Sequence, residues 1–145
     1  MSIRTLADCI NNQPPISIAA TATVLDAARM MAEKRCGSIL VISKDKALAG
    51  IFTERDLLMK VVAPARDPAD TRIAEVMTPT PRTALPTMPV SHALVLMRDG
   101  AFRHLPVVDN AGNVLGIFSI RDTLTSELID ADRITSHQEQ LGAVL

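Results

Sequence analysis

The sequence has 145 residues, of which 48% are hydrophobic, enough for one well-formed core. Lys and Arg number 15 against 16 Asp and Glu, a net charge of -1, so no positive field exists to condense on a phosphate backbone. Trp and Tyr are absent and only Phe52, Phe102 and Phe118 are aromatic, which removes the stacking platforms of single-strand binders and completes the case against a nucleic-acid partner.

In chain order, the opening MSIRTLADCI lacks the basic start and long apolar stretch of a secretory signal. The longest apolar runs, such as Ile39 to Ile42, are too short to span a bilayer, so a cytoplasmic location without a membrane partner is expected. Cys9 and Cys36 are too few for a disulfide framework, lack the paired spacing of a zinc site, and read as small buried hydrophobes. No metal is expected. Ile16 to Ile18 reads as extended, followed by a helix whose apolar face is Val24, Ala27, Ala28 and Met31, at i, i+3, i+4 and i+7. The β-branched run Ile39 to Ile42 and a second strand lead to a last helix starting near Glu54, just after Thr53 as N-cap. Ala63 to Asp70 is rich in Pro and Asp and reads as a linker, before a short helix Ile73 to Met77 stopped at Pro79. The pattern then recurs. Thr83 to Leu85 is extended, Val90, Ala93, Leu94 and Met97 form a helical face, Leu105 to Val108 and Val114 to Phe118 are strands, and Asp109-Asn110-Ala111-Gly112 turns between them. A last helix is expected near Ile120, after Ser119. Ala131 to Leu145 has no counterpart and reads as a helical extension or a tail.

Residues 24–58 align with 90–124 at a constant offset of 66, without a gap and with ten identities, against about two expected by chance. These are Val24/Val90, Ala27/Ala93, Met31/Met97, Val41/Val107, Gly50/Gly116, Ile51/Ile117, Phe52/Phe118, Arg55/Arg121, Asp56/Asp122 and Leu58/Leu124. The expected fold is therefore mixed α/β (α+β), two βαββα repeats that must pack face to face because neither buries its apolar faces alone. The expected division is 1–62 for an N-terminal extension and the first repeat, 63–79 for the linker, 80–130 for the second repeat and 131–145 for the tail.

GSILVI, FRHLPVVD, the twin segments GIFTERDLL and GIFSIRDTL, and the bridging MTPTPRT resemble the paired cystathionine-β-synthase (CBS) domains known as a Bateman module, over about residues 3 to 128. The resemblance implies repeats related by a pseudo-twofold axis, commonly paired again into a dimer. It also implies two inter-repeat clefts that take AMP, ADP, ATP, NAD(H) or S-adenosylmethionine, with occupancy read by a regulated partner protein. One cleft is expected to join Ile51, Thr53 and Asp56 to Arg82, Thr83, Leu85, Phe102, Arg103 and His104. The other is expected to join Ile117, Ser119 and Asp122 to Ile16, Ser17, Ile18, Cys36 and Gly37. Arg103, a fork donor matched to phosphate, with His104 beside it, places the expected phosphate in the first.

Thr53-Glu54-Arg55-Asp56 and Ser119-Ile120-Arg121-Asp122 each put a hydroxyl and a carboxylate three residues apart at a helix start. They read either as a capping-box variant or as a carboxylate accepting two ribose hydroxyls, and the two roles can coexist. Arg55 and Arg121 either reach a phosphate or pair with Glu54 or with a carboxylate across the dimer. His92 and His137 have no ligand-spaced partner and read as surface residues, while most methionines fill apolar helix faces. No G-x-G-x-x-G, Walker lysine, nucleophile elbow or catalytic triad is present, so no catalysis is expected. A homodimer is expected from the broad apolar face of Leu57, Leu58, Val61 and Val62. The alternative function is a ligand-independent dimerisation or protein-interaction module.

Overall fold

A computed structural model of the chain describes residues 3–10 and 15–144. Met1, Ser2, Asn11, Asn12, Gln13, Pro14 and Leu145, which fall within the expected N-terminal extension and tail, lie outside the described residues. In chain order come the one-turn helix α1 (Leu6–Cys9), strand β1 (Ser17–Ala19), helix α2 (Val24–Lys34), strands β2 (Ser38–Ile42) and β3 (Leu48–Thr53), and helix α3 (Glu54–Asp56), which continues as a π-helix (Leu57–Val62). Helix α4 (Ile73–Val76), strand β4 (Thr78–Pro79), helix α5 (Val90–Gly100), strands β5 (His104–Val108) and β6 (Val114–Ser119), a 3-10 turn (Ile120–Asp122) and helix α6 (Thr125–Val144) complete the chain. This is the mixed α/β architecture that the duplication predicts. Among the described residues no helix is long and apolar enough to cross a membrane.

The described residues form two compact units, 15–81 around the first repeat and 3–10 with 82–144 around the second. In the first, a sheet of order β1-β2-β3-β4 has β1 parallel to β2 and the remaining pairs antiparallel. Thr23 caps α2, its hydroxyl accepting the Asp26 N–H while Asp26 accepts the Thr23 N–H, both at 3.2 Å. The α2 residues Val24, Ala27 and Met31 then bury against Ile39, Val41 and Phe52. The helix ends at Arg35 in the left-handed region (φ 55°), and the Cys36 N–H returns to the Met31 carbonyl at 3.0 Å. The second unit repeats this design. There Val90, Ala93, Leu94 and Met97 pack on Leu105, Val107 and Phe118, and α5 ends at Ala101 (φ 57°) with Phe102 N–H on the Met97 carbonyl at 3.0 Å.

The repeats differ at two places. The expected strand Thr83 to Leu85 is reduced to a single parallel bridge, Ala84 to Val107. In the first repeat the Leu40 N–H donates to the Ile16 carbonyl at 3.1 Å. The residue in Leu40's place is Pro106, which has no N–H, so this rung of the ladder is missing. The expected helix at Ile120 is likewise only a 3-10 turn. Thr123 returns to extended backbone (ψ 142°), and α6 begins afresh at Thr125. Residues 131–144 of the expected tail are the continuation of α6, whose Ala131 is fully buried in the second core.

The expected domain limits are corrected at both repeat entrances. Residues 3–10 do not accompany the first repeat; Leu6 is fully buried in the core of the second. Residues 63–79 are not a free spacer. The Pro68 and Thr71 carbonyls accept the Leu25 and Val24 N–H groups at 3.0 and 2.9 Å, two of the donors that an α-helix start leaves unpaired. Ile73 and Val76 enter the first core, α4 ends before Met77, and Thr78–Pro79 pair with β3.

The two entrance segments are equivalent at an offset of 67. Arg4 gives its carbonyl to Val90 N–H at 3.0 Å as Thr71 does to Val24, and Asp8 and Glu75 each accept the N–H of their N-cap residue at 2.8 Å. Each repeat is thus completed by the segment that precedes the other repeat in the chain. A glycine makes room for each. A Cβ on Gly50 would stand 2.8 Å from the Thr78 carbonyl oxygen, and one on Gly116 would stand 2.9 Å from Ile10 Cβ.

Arg4 also fastens its segment electrostatically. Its guanidinium spans both oxygens of Glu127 at 3.0 Å and donates to the Asp122 carbonyl at 2.9 Å, while Glu127 accepts the Leu124 N–H at 2.8 Å at the start of α6. Burial works against the charge on Glu127, but the Arg4 fork and the Leu124 N–H outweigh it and hold this carboxyl below the ordinary glutamate range.

Gly50→Ala and Gly116→Ala are each expected to cost about 1–3 kcal/mol in urea unfolding, because backbone or Cβ atoms must move. A loss below about 0.5 kcal/mol would contradict the close approach. A carboxyl depressed in the folded state contributes stability above its unfolded pKa, and that contribution is lost as pH falls through the folded value. Glu127→Gln is therefore expected to destabilise the chain by about 1–3 kcal/mol at neutral pH, nearer the low end because the Arg4 side chain is 33% exposed. The deficit should shrink as pH falls below the ordinary glutamate range; a deficit unchanged from neutral to acid pH would contradict the assignment.

Candidate functional site

The twin Ser/Thr-x-x-Asp segments sit where the last strand of each repeat turns into its following helix. In the first repeat, Thr53 pairs across the strands with Ser38, and the Glu54 N–H donates to the Gly37 carbonyl at 3.1 Å. Ile51 lies two residues inward, opposite Leu40, which in turn faces Ser17 of β1. Ile16, Ser17, Ile18, Cys36, Gly37, Ile51, Thr53, Arg55 and Asp56 therefore gather at one end of one sheet. Ile51 and Leu40 are buried, although neither belongs to the core beneath α2. Strand alternation turns Ile39, Val41 and Phe52 to that core and Leu40 and Ile51 to the opposite face; of the expected site residues on β1 and its entry, Ser17 shares the face of Leu40, but Ile16 and Ile18 pack against the core, which corrects the expectation for them.

The second repeat assembles the same way. His104 stands opposite Ser119, Pro106 opposite Ile117, and the Ile120 N–H donates to the Arg103 carbonyl at 3.1 Å. Within this unit the structure brings Arg103 and His104 beside Ser119, Arg121 and Asp122, with Arg82, Thr83 and Leu85 flanking the Ala84 bridge to β5. Phe102 is half-buried against its own repeat's core. With Leu94, Met97, Arg98, Ala101, Arg103, Ile120 and Leu128 it lines a pocket of about 360 Å³ between α5 and α6.

At Asp56 the carboxylate oxygens have distinct partners. Oδ2 accepts the Thr53 N–H at 3.0 Å and the Thr53 hydroxyl at 3.2 Å, and the Asp56 N–H returns to Thr53 Oγ1 at 3.2 Å. This is the capping box allowed by the spacing, with Asp in the place usually held by Glu or Gln. Oδ1 faces the Lys60 ammonium at 3.0 Å. A carboxylate offers about four lone-pair positions, so three are engaged and one on Oδ1 is open. The longer Thr53 hydroxyl bond is the contact most easily exchanged. Asp56 is 8% exposed. Asp122 is exposed, and its box is looser, with the Ser119 N–H at 3.3 Å from Oδ2 and Ser119 Oγ accepting the Arg121 N–H at 3.4 Å.

Among the described residues, the side chains of Arg55, Arg82, Arg103 and Arg121 are exposed and make no hydrogen bond or ion pair, so of the alternatives for Arg55 the pairing with Glu54 does not form. Cys36 is half-buried, its thiol donating to the Lys34 carbonyl at 3.4 Å. Burial pushes the half-buried Cys9 thiol up. His92 and His137 are exposed. Three residues that bear on the signatures were not singled out from the sequence. Lys60 carries a local signal, its i,i+4 spacing from Asp56; Arg4 and Glu127 carry none, because they meet across 123 residues.

The model of the CBS domain matches residues 6–63 and 73–127, two tandem copies, each beginning at a one-turn entrance helix. The CBS domain-containing protein CBSCBSPB1 of Arabidopsis thaliana is 39% identical over 105 residues, which cover 72% of this chain and 19% of that protein. Across this and three further curated relatives the chain spans 16% to 56% of their length. The CBS domain protein PAE2072 of Pyrobaculum aerophilum, solved in complex with AMP, superposes with a TM-score of 0.79 at 30% identity, covering 89% of this chain and 98% of that one. The CBS domain pair of protein MJ0100, solved with 5′-methylthioadenosine and S-adenosyl-L-methionine, gives a TM-score of 0.76 at 26% identity, covering 90% and 99%. The two matched copies, the shared fold and the duplicated signature show that this chain belongs to the CBS-domain family, as a tandem pair of repeats.

Proposed function

We propose that the chain is a non-catalytic regulatory module that binds an adenosine-containing ligand through its signature aspartates and conveys occupancy to a partner protein. The observation that carries this reading is the arrangement at Asp56. A nearly buried carboxylate keeps one acceptor position open beside a contact that a ligand hydroxyl can replace. The duplication of that aspartate in Asp122 supports it, as do two similar structures that hold AMP or S-adenosylmethionine and 5′-methylthioadenosine. In this reading Asp56 and Asp122 take ribose hydroxyls. Ile51, Leu85, Phe102 and Ile117 provide apolar surface to a base, and Thr53, Ser119, Ser17, Thr83, Cys36 and Gly37 add small polar or backbone contacts, while Ile16 and Ile18 serve the core beneath α2 instead. The unpaired guanidiniums of Arg55, Arg82, Arg103 and Arg121, together with His104, serve a phosphate. AMP, ADP, ATP, NADH and S-adenosylmethionine are the candidate ligands. Of the expected dimer face, Val61 is buried in the first core and Leu57 packs against it, so self-association would rest on Leu58 and Val62 with Met59 beside them, 57%, 60% and 58% exposed.

At about a hundred times its dissociation constant, a bound ligand adds about 2.7 kcal/mol of stability, roughly 5 to 10 °C in melting temperature for a domain of this size. A thermal-shift panel of the five candidates with GTP as comparison is expected to give such a shift for at least one adenosine compound and less for GTP. Asp56→Asn keeps the side-chain size but turns an acceptor into a donor, and is expected to weaken that ligand about tenfold. No shift at millimolar concentrations would contradict the reading. So would an Asp56→Asn chain that loses stability but keeps its affinity.

A further inference from the structure

We infer that Lys60 is a specificity-determining residue, selecting ligands that carry an anionic group in addition to the sugar diol. The inference rests on the reading of Asp56 as a ligand-binding carboxylate. Lys60 Nζ lies 3.0 Å from Asp56 Oδ1 and 3.1 Å from the Val76 carbonyl oxygen. The second acceptor fixes the ammonium in place, because α4 is anchored by Ile73 and Val76, which are 0% and 2% exposed in the first core. An ammonium has three donors and two are engaged here, so the third N–H is unengaged on a side chain 41% exposed.

The charge balance decides what this arrangement favours. A carboxylate that receives a sugar diol also repels any phosphate attached to that sugar, and a cation held 3.0 Å from the carboxylate cancels that repulsion at its source. Lys60 thus costs a neutral nucleoside nothing and admits an anionic one. The second signature is built differently. Asp122 is exposed, a 3-10 turn follows Ser119, and the offset of 66 puts Ser126 in the lysine's place. Of the cations near Asp122, Arg4 bonds its backbone carbonyl rather than its carboxylate, and among the described residues Arg103 and Arg121 form no ion pair with it. The compensation belongs to the first signature only.

The test is titration calorimetry of AMP and adenosine against the full chain and its Lys60→Met, Lys60→Arg and Asp56→Asn variants. Lys60→Met is expected to weaken AMP about fivefold and adenosine less than about twofold, with Lys60→Arg restoring most of the AMP affinity. Asp56→Asn is expected to weaken both. Equal weakening of the two ligands by Lys60→Met, or tighter binding of either, would overturn the inference, the latter by showing that the lysine competes with the ligand. Should Asp56→Asn weaken both ligands while Lys60→Met alters neither, only the role of Lys60 falls. Should neither variant alter either affinity, or neither ligand bind the native chain, the ligand reading of Asp56 falls and this inference with it.

Discussion

Each repeat depends on a close approach that only glycine permits. Gly50 lets Met77 and Thr78 pass over β3, and Gly116 lets Ile10 pass over β6. The strands after those glycines run directly into the signatures, so the segment crossing the glycine also borders the signature's helix. Around this approach the rest is ordered. The entrance helices α1 and α4 supply Leu6 and Ile73 to the two cores, their N-terminal neighbours satisfy the first N–H groups of α5 and α2, and their cap carboxylates close their own first turns. A repeat deprived of this segment would leave an apolar face open and a helix start unsatisfied, both unfavourable in water.

In both units a cation ties the entrance segment to the signature, in opposite senses. In the first, Lys60 reaches from the signature's helix to the α4 carbonyl of Val76; in the second, Arg4 reaches from the entrance segment to the Asp122 carbonyl and Glu127. The consequence is chemical. The first aspartate is buried and ion-paired with Lys60, while the second is exposed and, among the described residues, forms no ion pair. A duplicated sequence motif has therefore become two unequal carboxylates, and the difference comes from residues outside the motif. The capping and ligand-binding readings of these aspartates are compatible, because the cap uses Oδ2 and leaves room at Oδ1.

Much of this was legible in the sequence. The offset of 66 exposed the repeats, the 3.6-residue period marked α2 and α5, and the Thr and Ser caps marked the strand-to-helix junctions at Thr53 and Ser119. The short helix at Ile73 was read, but its equivalence to residues 6–10 was not, because the two segments align at 67 rather than 66. Leu6/Ile73, Ala7/Ala74, Asp8/Glu75 and Ile10/Met77 are similar pairs, but a gap-free comparison passes over them. The loss of the strand around Ala84 was readable in Pro106, whose missing N–H cancels one rung. The restart of α6 was not, since it rests on a bond between Arg4 and Glu127 that no local pattern announces.

A ligand that engages both signatures, rather than leaving them as helix caps alone, must perturb their backbone amides. In amide chemical-shift mapping of the isotope-labelled chain titrated with AMP, the largest saturable shifts are expected on the amides of 53–56 and 119–122, with weaker ones along 16–18, 36–37, 82–85 and 102–104. Saturation without movement at either signature, or movement confined to α6 and the surface of α5, would contradict this engagement.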